Sequence, residues 1–300
     1  MGCRDNTPDA TEAVRAPRRP PQPPTRSVAP RSCIFMNDRP RIGLIGYGYI
    51  GQYIYEQVTT RPELGLDIGF VYNRSRDKLC ALPDEQVLKQ LADFASYSVD
   101  LIVELAHPDI TREQGCNFLQ STDYMPLSLT AFADAELEAA LLATSATAGT
   151  RIFVPHGAVV GLEALEEGRE RWQTVTIVMK KPVRSFDFSA APQFDPESMT
   201  AETVLYDGPT RELCPLFPRN VNSHAAVALA GIGFDRTRSV LVADPALDRS
   251  IIELDAEGDG VEVKIWRANP MQGVSGVMTL LSTLASIGRA RAVQPGFRVC

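Results

Sequence analysis

The sequence has few of the residues that build metal sites and disulfide frameworks. It contains only three histidines, His107, His156 and His224, and six cysteines with no C-x-x-C pair among them. This spacing does not match a structural zinc site, so we expect no metal site. Thiols without such pairing are typical of a reducing compartment, which favours the cytoplasm.

Long hydrophobic runs and an excess of positive charge are also missing. The uncharged stretch over residues 271–288 carries several Gly, Ser and Thr residues, so it is too polar for a membrane span and predicts a packed helix. A net charge of −7 and an isoelectric point near 5.2 give no support for nucleic acid or an anionic membrane as a partner. A hydrophobic content of 44% over 300 residues fits a globular enzyme of one or two domains.

The first 38 residues differ in composition from the rest of the chain. Prolines and arginines are concentrated there. Such a segment buries no core, so residues 1–38 are predicted to be a disordered extension. A mitochondrial targeting helix is the alternative, which the acidic Asp5, Asp9 and Glu12 and the density of prolines disfavour.

The most informative motif is RIGLIGYGYIG at residues 41–51. A strand-like apolar run leads into Gly46, Gly48 and Gly51, and a helix-compatible stretch follows. In a dinucleotide fold the first glycine makes the tight turn, the second admits the pyrophosphate, and the third lets the helix pack closely on the strand. The motif in this context favours nicotinamide dinucleotide binding over a purely structural glycine turn.

The choice between NAD and NADP depends on the end of the second predicted strand, at residues 66–74. An NAD enzyme normally places Asp or Glu there to bind the ribose hydroxyls. This chain has Asn73, followed by Arg74, Ser75 and Arg76. A neutral amide beside guanidinium groups favours a 2′-phosphate, so we expect NADP or NAD with NADP slightly favoured. The alternative is a solvated cluster of charges at the strand end.

Strand-like and helix-like segments alternate over residues 39–167. This pattern predicts an α/β fold, with an N-terminal Rossmann domain built on a doubly wound parallel sheet. RIFVPHGAVVG, within the same region, is predicted as a further strand and a glycine-rich turn. Strand patterns dominate residues 168–272 and predict a second, α+β domain for substrate binding and dimerisation. Residues 273–300 are expected to form a C-terminal helix that packs back on the Rossmann domain.

In a doubly wound sheet the loops at the carboxyl ends of the strands line the cofactor crevice. We therefore expect the loops at 106–108, 130–132 and 156–158 to lie there, and His156 with them. A lone histidine is more often structural than catalytic. The predicted cofactor-binding residues of the N-terminal domain are Gly46, Gly48, Tyr49, Ile50, Gly51, Asn73, Arg74, Ala106 and His107.

Several blocks of the chain resemble L-aspartate dehydrogenase. The similarity runs from about residue 40 to 270 in one order: IGLIGYGYIG, LTAFAD, VPHGAVVGLEAL, KKP, VLYDGPTRELCPLFPRNVNSHAA and ADPALDRS. The resemblance implies an NAD(P)-dependent oxidoreductase that acts on the amino group of aspartate, is linked to NAD biosynthesis and forms a homodimer. Carried over by position, Ala131 and Asn222 would contact the nicotinamide side of the cofactor.

The catalytic histidine of that family is not matched. The family pattern resembles ADPxxDRNxHE, whereas ADPALDRSIIE places Ile252 at the histidine position. Amine oxidation needs a proton acceptor, for which a histidine is suited. His224, two residues past Asn222, is the predicted substitute. The alternatives are that His224 is structural, or that the chain is an NADP-binding pseudoenzyme.

Aspartate carries two carboxylates, so its site requires at least two cationic or multi-donor groups. Lys180, Lys181 and Arg219 lie in the matching blocks and are the predicted substrate-binding residues. Adjacent residues of a strand point to opposite faces, so at most one of the two lysines faces the site. Another two-domain reductase, acting on a sugar or an imine, is a further alternative without support from the LFPRNVN and ADPALDR blocks.

Overall fold

A computed structural model describes residues 1–2, 39–272 and 275–291. The predicted disordered extension, residues 1–38, lies outside these ranges apart from its first two residues. Residues 292–300 also lie outside them. From residue 39 onward the described helices and strands form one compact unit, which contains two β-sheets.

The apolar segments of the first half form a parallel sheet in the order β2-β1-β3-β4. Single bridges extend it, with Val87 beside β2 and Ile152 beside β4. Counting those bridges, the order is that of a doubly wound Rossmann sheet, so the predicted fold class is confirmed. The four strands are β1 (Arg41–Ile45), β2 (Asp67–Tyr72), β3 (Leu101–Glu104) and β4 (Asp123–Pro126).

Helices follow the strands as the alternation predicts: α1 (Tyr49–Thr60), α2 (Pro108–Leu119) and α3 (Ala135–Ala148). Asp134 caps α3 by accepting hydrogen bonds from two backbone N–H groups of its first turn, and Gly149 ends it in the left-handed conformation. Within the described residues, no helix combines the length and hydrophobicity required to cross a membrane.

The second half forms a mixed six-stranded sheet in the order β10-β9-β8-β5-β7-β6. Its strands are β5 (Trp172–Lys181), β6 (Thr203–Pro209), β7 (Thr237–Ala243), β8 (Arg249–Gly258), β9 (Val261–Gln272) and β10 (Ser275–Gly276). Alternate residues of β5 and β8, such as Ile177 and Leu254, are buried in the core on one face. The other face is more polar and exposed.

Four more helices complete the fold: α4 (Leu162–Glu167), α5 (Thr210–Leu216), α6 (Asn222–Ala230) and α7 (Val277–Arg291). Helix α7 contacts α1, and its Ile287 is buried in the same apolar cluster as β1. The guanidinium group of Arg291 also lies 2.6 Å from the carboxylate of Asp123 in β4. The C-terminal helix thus packs on the Rossmann sheet.

The segment RIFVPHGAVVG does not form the predicted strand. Only Ile152 pairs with the sheet, through one bridge to Tyr124. Pro155 lacks a donor for a strand ladder, and Gly157 and Gly161 adopt positive φ angles of 55° and 83° that suit a loop. This loop lines the site described next.

Candidate active site

Two adjoining cavities lie where the loops of the parallel sheet meet the second sheet. The larger, which we call the crevice, follows the carboxyl ends of β1, β2 and β3. The smaller, the inner pocket, is floored by residues of β5, β8 and β9. Ile50, Leu127, Arg219 and Asn222 line both cavities, so the crevice opens onto the inner pocket at these residues.

The glycine turn between β1 and α1 is sterically required. Gly46 has φ of +107°, and a Cβ atom there would lie 2.9 Å from the backbone of Leu105. A Cβ atom on Gly51 would lie 2.1 Å from the carbonyl oxygen of Gly46. At Gly48 a Cβ atom would meet no protein atom within 4 Å, because this glycine borders the crevice.

This turn fits the pyrophosphate of a dinucleotide. Helix α1 is twelve residues long, and no side chain caps its N-terminus at Gly48. The N-terminus of α1 borders the crevice, and the bare backbone at Gly48 admits an anion closely. Tyr49 and Ile50, which the sequence predicts to bind the cofactor, also line the crevice.

The end of β2 forms another wall of the crevice. The side-chain oxygen of Asn73 accepts a hydrogen bond from the backbone N–H of Tyr47 at 2.9 Å, and its amide nitrogen donates to the carbonyl of Ser75 at 2.9 Å. Asn73 thus holds the glycine turn against β2 as well as lining the crevice.

Two cationic side chains, Arg74 and Lys78, line the same wall. Arg76 does not, since its guanidinium group donates to the carbonyl of Lys89 at 2.9 Å. Sequence reasoning missed Lys78, because it lies on a short 3-10 turn, Arg76–Leu79, that follows the strand.

A buried carboxylate at the end of β3 organises the neighbouring loops. Glu104 accepts hydrogen bonds from the N–H groups of Ala106 at 2.6 Å and His107 at 2.8 Å, and from the N–H and hydroxyl groups of Ser128, both at 3.1 Å. Burial raises the pKa of Glu104 to about 7. The four hydrogen bonds oppose this rise, because they favour the ionised carboxylate. Ala106, His107 and Ser128 all line the crevice.

The turn Leu129–Ala133 connects the two halves of the site. Asn222 lines both cavities, and its side-chain oxygen accepts a hydrogen bond from the N–H of Thr130 at 3.2 Å. Ala131 is fully buried and lines neither cavity, which argues against its predicted contact through the side chain. Leu129 lines the inner pocket instead, since successive residues of the tight turn face different directions.

The two adjacent lysines of β5 lie on opposite faces of the sheet. Lys180 pairs with Glu202 at 3.1 Å and does not line the inner pocket, so the structure argues against its predicted role in substrate binding. Lys181 lines the pocket, is buried, and donates to the carbonyl of Asn220 at 3.0 Å. Burial, and then the charge of Arg267, lower the pKa of Lys181 to about 8.

Arg219 and Arg267 add two guanidinium groups to the inner pocket. Arg219 is half-exposed and pairs with Asp187 at 3.2 Å. Arg267 donates to the carbonyl of Ala158 at 2.7 Å, while its Nε and Nη1 atoms are buried and have no hydrogen-bond partner among the described residues. Sequence reasoning missed Arg267, which lies inside a strand and outside the matching blocks.

The geometry argues against His224 as the catalytic group. His224 is fully buried, and its Nδ1 lies 2.9 Å from the hydroxyl of Ser239, which in turn lies 2.7 Å from the hydroxyl of Thr210. It lines neither cavity, because two residues of helix turn its side chain away from the direction of Asn222. Burial, and then the charge of Lys181, lower its pKa to about 3.

Ile252 is buried in the core beside the inner pocket and is not one of the residues that line it. It pairs with Met179 of β5 on one side and with Arg267 of β9 on the other, and both of these residues line the pocket. Directly paired residues share one face of a sheet, so Ile252 faces the same way. An apolar side chain thus occupies the position of the family's histidine.

The remaining histidines lie in different cavities. His107 lines the crevice and caps α2, where its Nδ1 accepts a hydrogen bond from the N–H of Asp109 at 3.3 Å. His156 lines the inner pocket.

A glycine turn at a helix N-terminus, a crevice at the switch point of a parallel sheet, and a cationic pocket at its end define a class of protein. The class is the two-domain oxidoreductases that bind a nicotinamide cofactor on a Rossmann domain. Residues 162–290 match the family model of the aspartate dehydrogenase C-terminal domain, and residues 46–155 match that of the homoserine dehydrogenase NAD-binding domain. The chain belongs to the aspartate dehydrogenase family.

Individual relatives agree with this assignment. The aspartate dehydrogenase domain-containing protein of Xenopus tropicalis is 38% identical, over 83% of this chain and 94% of its own length. The L-aspartate dehydrogenase of Methanococcoides burtonii is 30% identical, over 82% of this chain and 96% of its own. The crystal structure of aspartate dehydrogenase from Thermotoga maritima covers 88% of this chain and 100% of its own, with a TM-score of 0.67 and 24% identity, and shares the fold.

Proposed function

We propose that this chain is an NAD(P)-dependent oxidoreductase that oxidises the amino group of L-aspartate to iminoaspartate, from which water releases oxaloacetate and ammonia. The observation that carries the proposal is the junction at Ile50, Leu127, Arg219 and Asn222, where the crevice opens onto a cationic pocket. Relatives named L-aspartate dehydrogenases, 30% and 31% identical over most of the chain, support the substrate.

The charges of the inner pocket suit a dicarboxylate. Lys181, Arg219 and Arg267 bring three cationic side chains to one small cavity, and Asn269 adds an amide nitrogen without a partner among the described residues. Unpaired buried donors cost free energy, which a bound carboxylate would recover. One carboxylate of aspartate would bind at Arg267 and Asn269, and the other near Lys181 or Arg219.

The crevice holds the cofactor in this proposal. The bound nicotinamide supplies the hydride acceptor for the reaction. The glycine turn and the N-terminus of α1 bind the pyrophosphate, and Asn222 lies at the nicotinamide end. Arg74 and Lys78 favour NADP through its 2′-phosphate.

An NADP-binding protein without catalysis is the second candidate. The observation that favours it is Ile252, a buried isoleucine paired with two residues of the inner pocket at the position where the sequence resemblance implies a histidine. An isoleucine accepts no proton, so this candidate predicts tight NADPH binding without turnover.

We propose a homodimer in the cytoplasm whose iminoaspartate product feeds NAD biosynthesis.

The test is consumption of NADPH and NADH with oxaloacetate and ammonium, followed by absorbance. The two adjacent lysines supply a matched pair of variants. Lys181→Met should lower kcat/KM for oxaloacetate at least tenfold, about 1.4 kcal/mol of transition-state binding. Lys180→Met removes the same charge from the opposite face of the sheet and should change kcat/KM for oxaloacetate by less than about twofold.

Pyruvate with ammonium serves as a substrate control, because it lacks the second carboxylate and should react poorly. Wild-type protein that binds NADPH but shows no turnover with any 2-oxo acid would support the second candidate instead.

A further inference from the structure

His156 lies on the pocket loop that replaces the predicted strand. Its backbone N–H donates to the hydroxyl of Ser286 in α7 at 3.3 Å, which fixes the loop at this residue. Its ring Nε2 lies 3.1 Å from a carboxylate oxygen of Glu163 in α4. The side chain is 17% exposed, so it is largely enclosed but reachable from the inner pocket.

A histidine with one ring nitrogen held by a carboxylate is the arrangement found in general base catalysis. The carboxylate orients the ring and stabilises the imidazolium that forms when the other nitrogen takes a proton. Here Glu163 is that carboxylate, and Nδ1 of His156 is the nitrogen left for a substrate.

Charges on each neighbouring element act on this ring. Burial lowers the pKa of His156, the carboxylate of Glu163 in α4 raises it, and the guanidinium group of Arg289 in α7 lowers it. The cations of the inner pocket, Lys181, Arg219 and Arg267, are further positive charges nearby. A ring whose pKa is lowered is neutral at neutral pH and ready to accept a proton.

No other histidine of the chain reaches this pocket. The described residues include all three, and of these His224 is buried against β7 and His107 lines the crevice.

We propose that His156 is the proton-accepting catalytic residue of this chain and that Glu163 is its positioning residue, a pair that substitutes for the family histidine missing at Ile252. The proposal rests on the function proposed above.

The chemistry balances as follows. In the direction of aspartate oxidation, His156 takes one proton from the substrate ammonium group and leaves a neutral amine. The Cα–H bond then breaks, and both its electrons leave with the hydrogen as hydride to the bound oxidised nicotinamide. The nitrogen lone pair forms the C=N bond of iminoaspartate. The proton on His156 passes to solvent or returns to the nitrogen when water has added and ammonia leaves.

The experiment compares full-length wild type with His156→Gln, Glu163→Gln and Glu166→Gln, all checked by thermal melting. Glu166 is an exposed residue of the same helix as Glu163 and gives the matched control. The readouts are kcat and KM for aspartate with NADP⁺, the pH profile of kcat/KM, and the Kd for NADPH by fluorescence.

His156→Gln should lower kcat about 100-fold or more while the Kd for NADPH stays within twofold. Glu163→Gln removes the negative charge that raises the pKa of His156, so the acidic limb of the profile should move to lower pH. Glu166→Gln should leave the profile unchanged. The Glu163→Gln profile keeps the test valid even if His156→Gln does not fold.

If the wild type is active, a near-normal kcat in His156→Gln would overturn the assignment of His156 and Glu163. An unchanged acidic limb in Glu163→Gln would do the same. Either result would leave the proposed function standing. A wild type that binds NADPH and shows no turnover would overturn the proposed function together with this assignment.

Discussion

The three histidines differ in chemistry because each lies in a different environment. His107 is half-exposed at the start of α2, His156 borders a pocket beside a carboxylate, and His224 is enclosed between α6 and β7. Their spacing along the chain carries no sign of these differences. The geometry argues against the predicted catalytic role of His224, because the two helix positions that separate it from Asn222 rotate its side chain by about 200°.

The burial of His224 makes stability depend on pH. Its pKa is near 3 when folded, against an ordinary value of 6.5, so below pH 6.5 the unfolded chain takes up a proton that the folded protein does not. The free energy of unfolding that depends on neutral His224 is fully present above pH 6.5. It is lost progressively as the pH falls toward 3, by about 3 kcal/mol at pH 4.

His224→Leu should therefore lose less free energy of unfolding than wild type between pH 7 and pH 4, as measured by urea denaturation. Ser239 keeps its hydrogen bond to Thr210 in the variant. Equal losses in the two proteins would show that His224 is protonated in the folded state.

The cofactor preference is also decided by single residues. Arg74→Ala should raise the Kd for NADPH about tenfold and change that for NADH less than about twofold, because only NADPH carries a 2′-phosphate. Lys78→Ala should act in the same direction. Arg76→Ala is the matched control, since Arg76 bonds the carbonyl of Lys89 outside the crevice and should leave the ratio unchanged. Equal weakening of both cofactors by Arg74→Ala would contradict this role.

At the scale of the element, two glycines of the turn from β1 to α1 have different roles. Gly48 leaves room in the crevice, whereas Gly51 is needed for close packing. Gly48→Ala places a methyl group in the crevice and touches no protein atom within 4 Å. It should raise the Kd for NADPH at least tenfold and change the free energy of unfolding by less than about 0.5 kcal/mol.

Gly51→Ala should affect both quantities, because its methyl group would overlap the carbonyl oxygen of Gly46. We expect a loss of about 1–3 kcal/mol in the free energy of unfolding together with weaker NADPH binding. Urea denaturation without cofactor and fluorescence titration measure the two separately. A Gly51→Ala protein as stable as Gly48→Ala would contradict the close packing of helix and turn.

Most elements were predictable from the sequence because their patterns are local. The alternating strand-like and helix-like segments of residues 39–167 became β1 to β4 and α1 to α3, and the strand patterns of residues 168–272 became β5 to β9. The missed helices are short: α4 has six residues and α5 has seven, with Pro215 inside it. A pattern of fewer than two turns carries little periodicity. In RIFVPHGAVVG, Pro155 and the glycines outweighed the apolar residues.

At the scale of the whole molecule, the site is less predictable because distant segments form it. The crevice residues between Gly46 and Ile50 could be assigned from the sequence because one motif contains them. Arg267 and Glu104 were missed, because the first pairs with Ile252 across strands and the second bonds a loop more than twenty residues away. Contacts of this kind depend on the register of a sheet and leave no local pattern.

We expect the proposed homodimer to use the outer face of the second sheet. Val178, Glu253 and Trp266 are paired across three strands on the face opposite the inner pocket, and Trp266 is 65% exposed. Trp266→Glu would place a second carboxylate beside Glu253 and should shift the protein from dimer to monomer in sedimentation velocity. Leu142→Glu, an exposed apolar residue on α3, is the control and should remain dimeric. A monomeric wild type would contradict the proposal.

The central claim is that hydride passes between the nicotinamide in the crevice and the α-carbon of aspartate in the inner pocket. The most direct measurement is mass spectrometry of the product formed from oxaloacetate, ammonium and NADPH deuterated at both C4 positions. We predict L-aspartate that carries deuterium at Cα. Aspartate without deuterium, or bound NADPH with no aspartate formed, would contradict the account.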